Sequence, residues 1–125
     1  MKRTITAALA HAARAFPGRT YAARKTDAGW LAFSYAEIYE KSRHFAAWLL
    51  QHGLKKGDRV AILAEGSPEW IIAELGTLLA GGVSVPLSMK LLREEIVFRM
   101  NHSEAKLLAV GGITLEKAAE AASGV

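Results

Sequence analysis

The chain has 125 residues, of which 51% are hydrophobic and 22% are charged, with 11 glycines, no cysteine and a net charge of +4. This length fits one domain or part of one, and the apolar fraction is too high for intrinsic disorder. A chain without cysteine has no disulfide framework, thiolate metal site or cysteine nucleophile, and we expect a cytoplasmic protein.

Residues 1–16 are basic, contain no Asp or Glu and are rich in small apolar residues, a composition that signal and transit peptides share. His11 and Arg14 interrupt the apolar run, so that no proper signal-peptide core exists. The apolar residues recur at helical spacing and are followed by Pro17-Gly18. An ordinary first helix that ends before this proline is therefore predicted.

Two short strands are predicted next, over residues 20–26 and 30–34. The intervening Asp27-Ala28-Gly29 is typical of a three-residue hairpin loop in which Gly29 supplies the left-handed conformation. We therefore expect an antiparallel β-hairpin.

A long helix follows the hairpin. Ser34 and Glu37 have the spacing of a capping box, in which each side chain accepts a hydrogen bond from the other residue's backbone N–H. Gly53 is placed to end the helix, with Leu54 as the hydrophobic contact behind it. The predicted apolar face consists of Ile38, Phe45, Leu49 and Leu50.

The second half of the chain alternates between strands and helices. The run 59–64 (RVAILA) is almost entirely apolar, as expected of a strand buried on both faces. Ser67-Pro68 then opens a helix, and Gly81-Gly82 ends it before a second strand at 83–87. A third unit has a helix around 92–101 and a strand at 106–110, followed by an Ala-rich helix with Thr114 as its cap.

This alternation predicts an α/β fold with a short three-stranded parallel sheet and flanking helices, preceded by a helix, a β-hairpin and a long helix. We expect a single unit over 1–125, with 1–54 as a helix–hairpin–helix cover and 55–125 as a βαβαβα unit. The longest apolar stretch, 71–87, is interrupted by Glu74, glycines and Pro86, so no transmembrane segment is predicted.

The charge is concentrated in the first half, since residues 1–59 carry 11 Lys/Arg against 4 Asp/Glu, a net +7. This asymmetry leaves open a free-standing basic module that binds nucleic acid or an acidic partner. The basic residues are scattered over different predicted elements, however, and no RNA-binding or recognition-helix motif accompanies them. We therefore expect a solvated surface and no nucleic-acid partner.

A search for catalytic and binding motifs is largely negative. The dinucleotide and P-loop glycine patterns are both absent. The histidines are not at metal-ligand spacing, so no metal site and no catalytic residue is predicted. Glu94-Glu95 suits a helix start better than a catalytic pair. The three tryptophans are expected to pack in the core or the cover rather than to stack on a ligand: Trp30, Trp48 and Trp70.

Five segments in order resemble the N-terminal region of AMP-forming acyl-CoA synthetases, which are part of the adenylate-forming superfamily. Each segment is weakly specific alone, and their order and spacing carry the resemblance. The sequence of residues 99–106 is most similar to the long-chain fatty-acid branch. The five segments are 33–37 (FSYAE), 57–62 (GDRVAI), 67–70 (SPEW), 80–87 (AGGVSVPL) and 102–106 (HSEAK).

The resemblance implies that the complete enzyme uses ATP, Mg²⁺ and coenzyme A. It would form an acyl-adenylate from a carboxylic or fatty acid, release pyrophosphate, and transfer the acyl group to coenzyme A. The family's phosphate loop, ribose-binding Asp and catalytic Lys are not found in these residues. The chain alone is therefore expected to be an inactive N-terminal fragment whose partner is the downstream adenylation half, with self-association through the surfaces this half would cover.

The resemblance also implies one candidate cofactor site. In relatives that bind coenzyme A, the nucleotide end of the cofactor lies near the loop that here is Ser88-Met89-Lys90. Lys90 would meet a phosphate and Met89 would pack on the adenine. The loop departs from the small Gly-rich loop of some relatives, and a solvated loop is the alternative. A small subunit that completes a split ligase is a further alternative for the whole chain.

Overall fold

A computed structural model describes residues 3–125. The described part of the chain alternates between helices and strands in the order predicted for an α/β fold. The elements are α1 (Ile5–Ala15), β1 (Thr20–Thr26), β2 (Gly29–Ser34), α2 (Tyr35–Gln51), β3 (Arg59–Leu63), α3 (Pro68–Leu79), β4 (Val83–Pro86), α4 (Arg93–Ser103), β5 (Leu107–Val110) and α5 (Leu115–Ala122).

Both ends of the long helix α2 follow from its sequence. The Ser34 N–H donates to the Glu37 carboxylate at 2.8 Å, and the Glu37 N–H donates to the Ser34 hydroxyl at 3.1 Å, which confirms the capping box. Gly53 has a φ of +90° behind the last turn. The Leu54 N–H then donates to the Leu49 carbonyl at 3.0 Å, and the buried Leu54 side chain supplies the expected hydrophobic contact.

The parallel sheet has the order β4-β3-β5, with β3 in the centre. Val60 is opposite Ser84 on one side and Leu107 on the other. Residues 60–63 of β3 are completely buried, because helices cover both faces of the sheet. The predicted three-stranded parallel sheet is confirmed.

The two faces of the sheet are covered by different helix pairs. Ala61 and Leu63 point to the face where α4 and α5 contribute buried side chains, including Ile96. Val60 points to the opposite face, where it packs with Leu49 of α2. The sheet is therefore the middle layer of an α/β/α sandwich, with α2 of the cover on one face and α4 and α5 on the other.

The helices α2 and α3 approach each other closely at Gly76. A Cβ atom added at Gly76 would lie 2.6 Å from the Phe45 Cδ1 and 2.9 Å from the Ser42 carbonyl oxygen. Leu9 of α1 joins the same side of the molecule by packing with Ile38 of α2 and Leu75 of α3. Glycine at position 76 is therefore a packing requirement.

The hairpin and its tryptophan differ from expectation. Thr26 pairs with Gly29, so the loop has two residues instead of three, and Gly29, with a φ of +116°, is the first residue of β2. The prediction that Trp30 packs in the core or the cover was wrong, since it is 71% exposed. Trp48 is 45% exposed but stacks on Phe45 within the cover. Trp30 lies on a two-stranded sheet whose outer face has no covering element among residues 3–125.

Leu50 is also misplaced by the sequence pattern, since it is 53% exposed while Ala46 and Ser42 are buried instead. The Ser42 carbonyl and the Phe45 ring of α2 both lie next to Gly76 of α3, so Ser42 is buried where the two helices meet. Of the predicted apolar face, Ile38 and Leu49 are fully buried and Phe45 packs against the core, so Leu50 is the one residue of the four that was misassigned.

Thr114 does not cap α5 through its side chain. Its hydroxyl lies 2.6 Å from the Leu63 carbonyl and 3.1 Å from the Gly111 carbonyl, to which it donates. The buried threonine therefore joins the segment after β5 to the end of β3.

Residues 3–125 contain no helix that is both long and apolar enough to cross a membrane.

Candidate functional site at the carboxyl edge of the sheet

Three loops meet where the parallel strands end. The Leu87 N–H donates to the Ile62 carbonyl at 2.8 Å, and the Gly111 N–H donates to the Leu63 carbonyl at 3.1 Å. These bonds hold the segments after β4 and β5 beside the segment after β3. In open α/β sheets this edge is where ligands bind, so it is the candidate functional site.

The segment after β4 contains the loop Ser88-Met89-Lys90. All three residues are exposed. The Lys90 N–H donates to the Ser88 hydroxyl at 3.2 Å, and the Lys117 ammonium donates to the Met89 carbonyl at 2.7 Å. The loop is thus fixed to α5 through its backbone, while the Lys90 side chain extends from an ordered turn.

A separate cleft of about 270 Å³ lies between the ends of β3 and β5 and the start of α3. Its apolar part includes Ile62 and Ala109, and Gly111-Gly112 forms one wall. Ser88, Met89 and Lys90 are not among the residues that line it. The structure therefore places the predicted loop and the cleft at one edge of the sheet without joining them in one pocket.

The helix α3 presents its N-terminus to this cleft. The Ser67 hydroxyl accepts a hydrogen bond from the Trp70 N–H at 3.2 Å, and Pro68 occupies the first helical position, as predicted. Because Ser67 satisfies a free N–H group of the first turn, the helix start is fixed at the mouth of the cleft.

An ion pair crosses the rim of the cleft. The Arg24 Nη2 of β1 lies 2.6 Å from the Glu69 Oε1 of α3. Burial alone raises the pKa of the Glu69 carboxyl, but the hydrogen bonds from Arg24 and from the backbone outweigh it and hold the pKa below its ordinary value of 4.5. Both side chains are partly exposed, so solvent screens the pair.

A family match decides what this arrangement belongs to. Residues 9–124 match the family model described as "AMP-binding enzyme". The chain belongs to this family. The match spans the cover, the parallel sheet and all three loops at its carboxyl edge.

Proteins that are similar to this chain share its fold and are several times longer than the chain. The chain is 41% identical over 76 residues to the 2-succinylbenzoate–CoA ligase of Bacillus velezensis, covering 60% of this chain and 16% of that protein. The benzoate CoA ligase structure from Burkholderia xenovorans LB400 superposes with a TM-score of 0.85 at 26% identity, covering 96% of this chain and 24% of that one.

The N-terminal subdomain of NpsA from Klebsiella oxytoca superposes with a TM-score of 0.80 at 26% identity, covering 90% of this chain and 29% of that chain. The chain thus spans less than a third of each of these relatives. It corresponds to the N-terminal region of adenylate-forming CoA ligases, as the sequence resemblance indicated.

The residues that the structure describes do not form a metal site that could hold Mg²⁺. Among residues 3–125, no three His, Asp or Glu side chains come together in a way that could hold a metal ion. Glu94-Glu95 lies at the start of α4, where the Glu95 carboxylate accepts a hydrogen bond from the Leu92 N–H at 2.7 Å. His44 pairs with Glu40 on the surface of α2, away from this edge.

Sequence reasoning missed two groups at this edge. Arg24 and Glu69 are 45 residues apart in the chain, and no local motif pairs them. Thr114 was assigned to a helix cap, although its hydroxyl serves the end of β3. In both cases the partner is set by the approach of distant elements, which only the folded chain shows.

Proposed function

We propose that this chain is the N-terminal part of an ATP-dependent, AMP-forming acyl-CoA ligase, in which it acts as a scaffold for the adenylation half. The observation that carries the proposal is the family match over residues 9–124, together with the fold shared with CoA ligases. The complete enzyme would join a carboxylate to AMP with release of pyrophosphate and then form the coenzyme A thioester. A cytoplasmic location is part of the same proposal.

The substrate class that we propose is a long-chain fatty acid, because the sequence of residues 99–106 resembles the long-chain branch. Two relatives are instead ligases of benzoate and of 2-succinylbenzoate. The full product of the reading frame that contains this chain is expected to release pyrophosphate faster with palmitate than with benzoate. A preference for benzoate would contradict the fatty-acid proposal and leave the ligase proposal intact.

The isolated chain is proposed to be inactive, because adenylation needs placed donors and a metal ion for the charge that develops on the phosphates. The remainder of the synthetase would supply these groups, as the principal partner of this chain. The DNA after the Val125 codon tests whether this remainder belongs to the same polypeptide. An open frame that encodes a Ser/Thr/Gly-rich loop ending in lysine supports the proposal, whereas an immediate stop codon favours a split ligase.

The loop Ser88-Met89-Lys90 is proposed to contact the nucleotide end of coenzyme A. Support comes from its place at the carboxyl edge and from its fixed backbone. Among residues 3–125, the Lys90 ammonium has no hydrogen-bond partner and could therefore meet a phosphate. Lys90→Gln is expected to weaken coenzyme A binding by the full-length enzyme, measured by calorimetry. Lys25→Gln, which removes the same charge elsewhere, is the control, and equal effects would contradict the assignment.

We also propose the division into a cover, residues 1–54, and a βαβαβα unit, residues 55–125. The free edges of β4 and β5 and the exposed side chains of Val110 and Ile113 would be covered by the downstream half. The chain alone is expected to associate with itself at high concentration. A monomer by light scattering at every concentration would contradict this.

The family match does not favour a free-standing basic module that binds nucleic acid. The basic residues of the cover are dispersed in the structure as well, and Arg24 and Arg43 are paired with carboxylates. Binding of the chain to DNA with a steep dependence on salt concentration would revive that alternative.

A further inference from the structure

A second cleft lies at the opposite, amino edge of the sheet. It has a volume of about 370 Å³ and is formed by the end of α2, the turn that leads into β3, and the start of β5. Its polar lining consists of His52, Lys55, Asp58 and Lys106. The strands of the sheet separate it from the loop Ser88-Met89-Lys90, so it is distinct from the candidate site described above.

The charge in this cleft is predominantly positive. Within residues 3–125, neither the Lys55 nor the Lys106 ammonium has a carboxylate within ion-pair distance. The single carboxylate in the lining, that of Asp58, accepts a hydrogen bond from the Lys55 backbone N–H at 2.9 Å. The nearby Glu104 carboxylate pairs with Arg59 at 3.6 Å. The lining thus carries two ammonium groups and one carboxylate, whose Oδ2 already accepts a backbone hydrogen bond.

The surroundings of the two lysines are fixed. The Asp58 N–H donates to the Lys55 carbonyl at 2.9 Å, which closes the turn, and the Lys106 N–H donates to the Arg59 carbonyl at 2.8 Å. Leu54, which also lines the cleft, is only 6% exposed. The backbones that carry both ammonium groups are therefore held in place, while the side chains remain free to meet a ligand.

His52 completes the lining from the end of α2. Its Nδ1 lies 2.8 Å from the Trp48 carbonyl, which can only accept, so this contact places a hydrogen on Nδ1. The imidazole also stacks on the Trp48 indole with ring centres 4.0 Å apart. The ring is thus held by two contacts and leaves Nε2 as its unused nitrogen.

We propose that this cleft at the amino edge binds a phosphate-bearing ligand through the Lys55 and Lys106 ammonium groups. Lysine is a compact point charge with three donors, which suits a phosphate oxygen from any direction. The predominantly positive lining favours an anion over a cation. The phosphate is either free, as in inorganic phosphate and pyrophosphate, or the headgroup of an anionic lipid.

The test is a titration of the 15N-labelled 125-residue chain with inorganic phosphate and pyrophosphate at constant ionic strength, followed by two-dimensional NMR at a protein concentration where light scattering shows a monomer. Saturable shifts confined to 52–58 and 105–107 are expected. Lys55→Gln/Lys106→Gln is expected to weaken the affinity about a hundredfold or more, roughly tenfold or more for each charge-assisted hydrogen bond that is lost. Lys25→Gln/Lys41→Gln, which loses the same charge elsewhere, should retain it.

A parallel arm with phosphatidylcholine vesicles, with and without phosphatidylglycerol, distinguishes the source of the phosphate. Flotation with anionic vesicles without saturable binding of free phosphate identifies a lipid headgroup, provided that the cleft variant loses it and the control variant does not. Binding in neither arm, shifts spread over the basic surface, or equal losses in both double variants would overturn the proposal.

Discussion

Arg24 on the hairpin and Glu69 at the start of α3 form an ion pair of 2.6 Å across the rim of the carboxyl-edge cleft. It links the cover to the helix that follows the central strand. The side chains are 42% and 57% exposed, so solvent screens the pair and its contribution to the stability of the fold is small.

A double-mutant cycle measures this coupling. Arg24→Ala, Glu69→Gln and the double variant are expected to give an interaction energy of about 0 to 1 kcal/mol in urea unfolding, because both groups are partly solvated. Lys25→Ala on the same strand serves as the control. A coupling several times larger would show that the pair is essential to the fold.

The same pair gives a dependence of stability on pH. The pKa of Glu69 is lower in the folded chain than its ordinary value of 4.5, so the contribution is present above that value and disappears as the pH falls through the folded pKa. As the pH falls below 4.5, the free energy of unfolding of Glu69→Gln is expected to decrease less steeply than that of the parent chain. Parallel curves for both proteins, measured by thermal unfolding, would contradict the assignment.

Gly76→Ala is expected to destabilise the chain. The new Cβ would lie 2.9 Å from the Ser42 carbonyl, which is backbone and yields little, and 2.6 Å from the Phe45 ring. Overpacking of this kind costs about 1 to 3 kcal/mol, against which the better helix propensity of alanine returns up to about 1 kcal/mol. Urea unfolding checks the net loss.

The matched control for Gly76 is Gly18→Ala, where no heavy atom lies within 4 Å of the added Cβ and φ is not positive. It is expected to leave the free energy of unfolding almost unchanged. If Gly76→Ala were equally silent, α2 and α3 would not be as closely packed as described.

Thr114→Val is expected to lower the free energy of unfolding by about 1 to 2 kcal/mol, since it removes a buried hydroxyl donor while keeping the shape of the side chain. The hydroxyl is 2.6 Å from the Leu63 carbonyl, and the residue is only 3% exposed. Thr114→Ser keeps the donor and should lose less. A helix-capping role would instead be revealed by reduced helicity of α5 with β3 undisturbed, as seen by amide exchange.

The sequence allowed the fold to be predicted where local signals and tertiary packing agree. The apolar run at 60–63 and the Ser34–Glu37 capping box each specify their own element, and both are confirmed. The pattern failed where a neighbour decides, as in the exposed Leu50 and the buried Ser42 beside Gly76.

The candidate site was predicted only in part for a similar reason. The edge follows from the order of strands and helices, but the Arg24–Glu69 pair and the cationic lining of the amino-edge cleft join residues distant in the chain. Trp30 was assigned to packing because tryptophan is usually buried, yet two strands alone cannot cover it.

We propose that this chain acts as a scaffold in an acyl-CoA ligase and has no adenylation activity of its own. The most direct measurement is pyrophosphate release by the purified 125-residue chain with ATP, Mg²⁺ and either palmitate or benzoate, beside the full product of its reading frame. We expect release that depends on the added acid from the full product and none above the blank from the chain. Sustained, acid-dependent turnover by the pure chain would contradict the account.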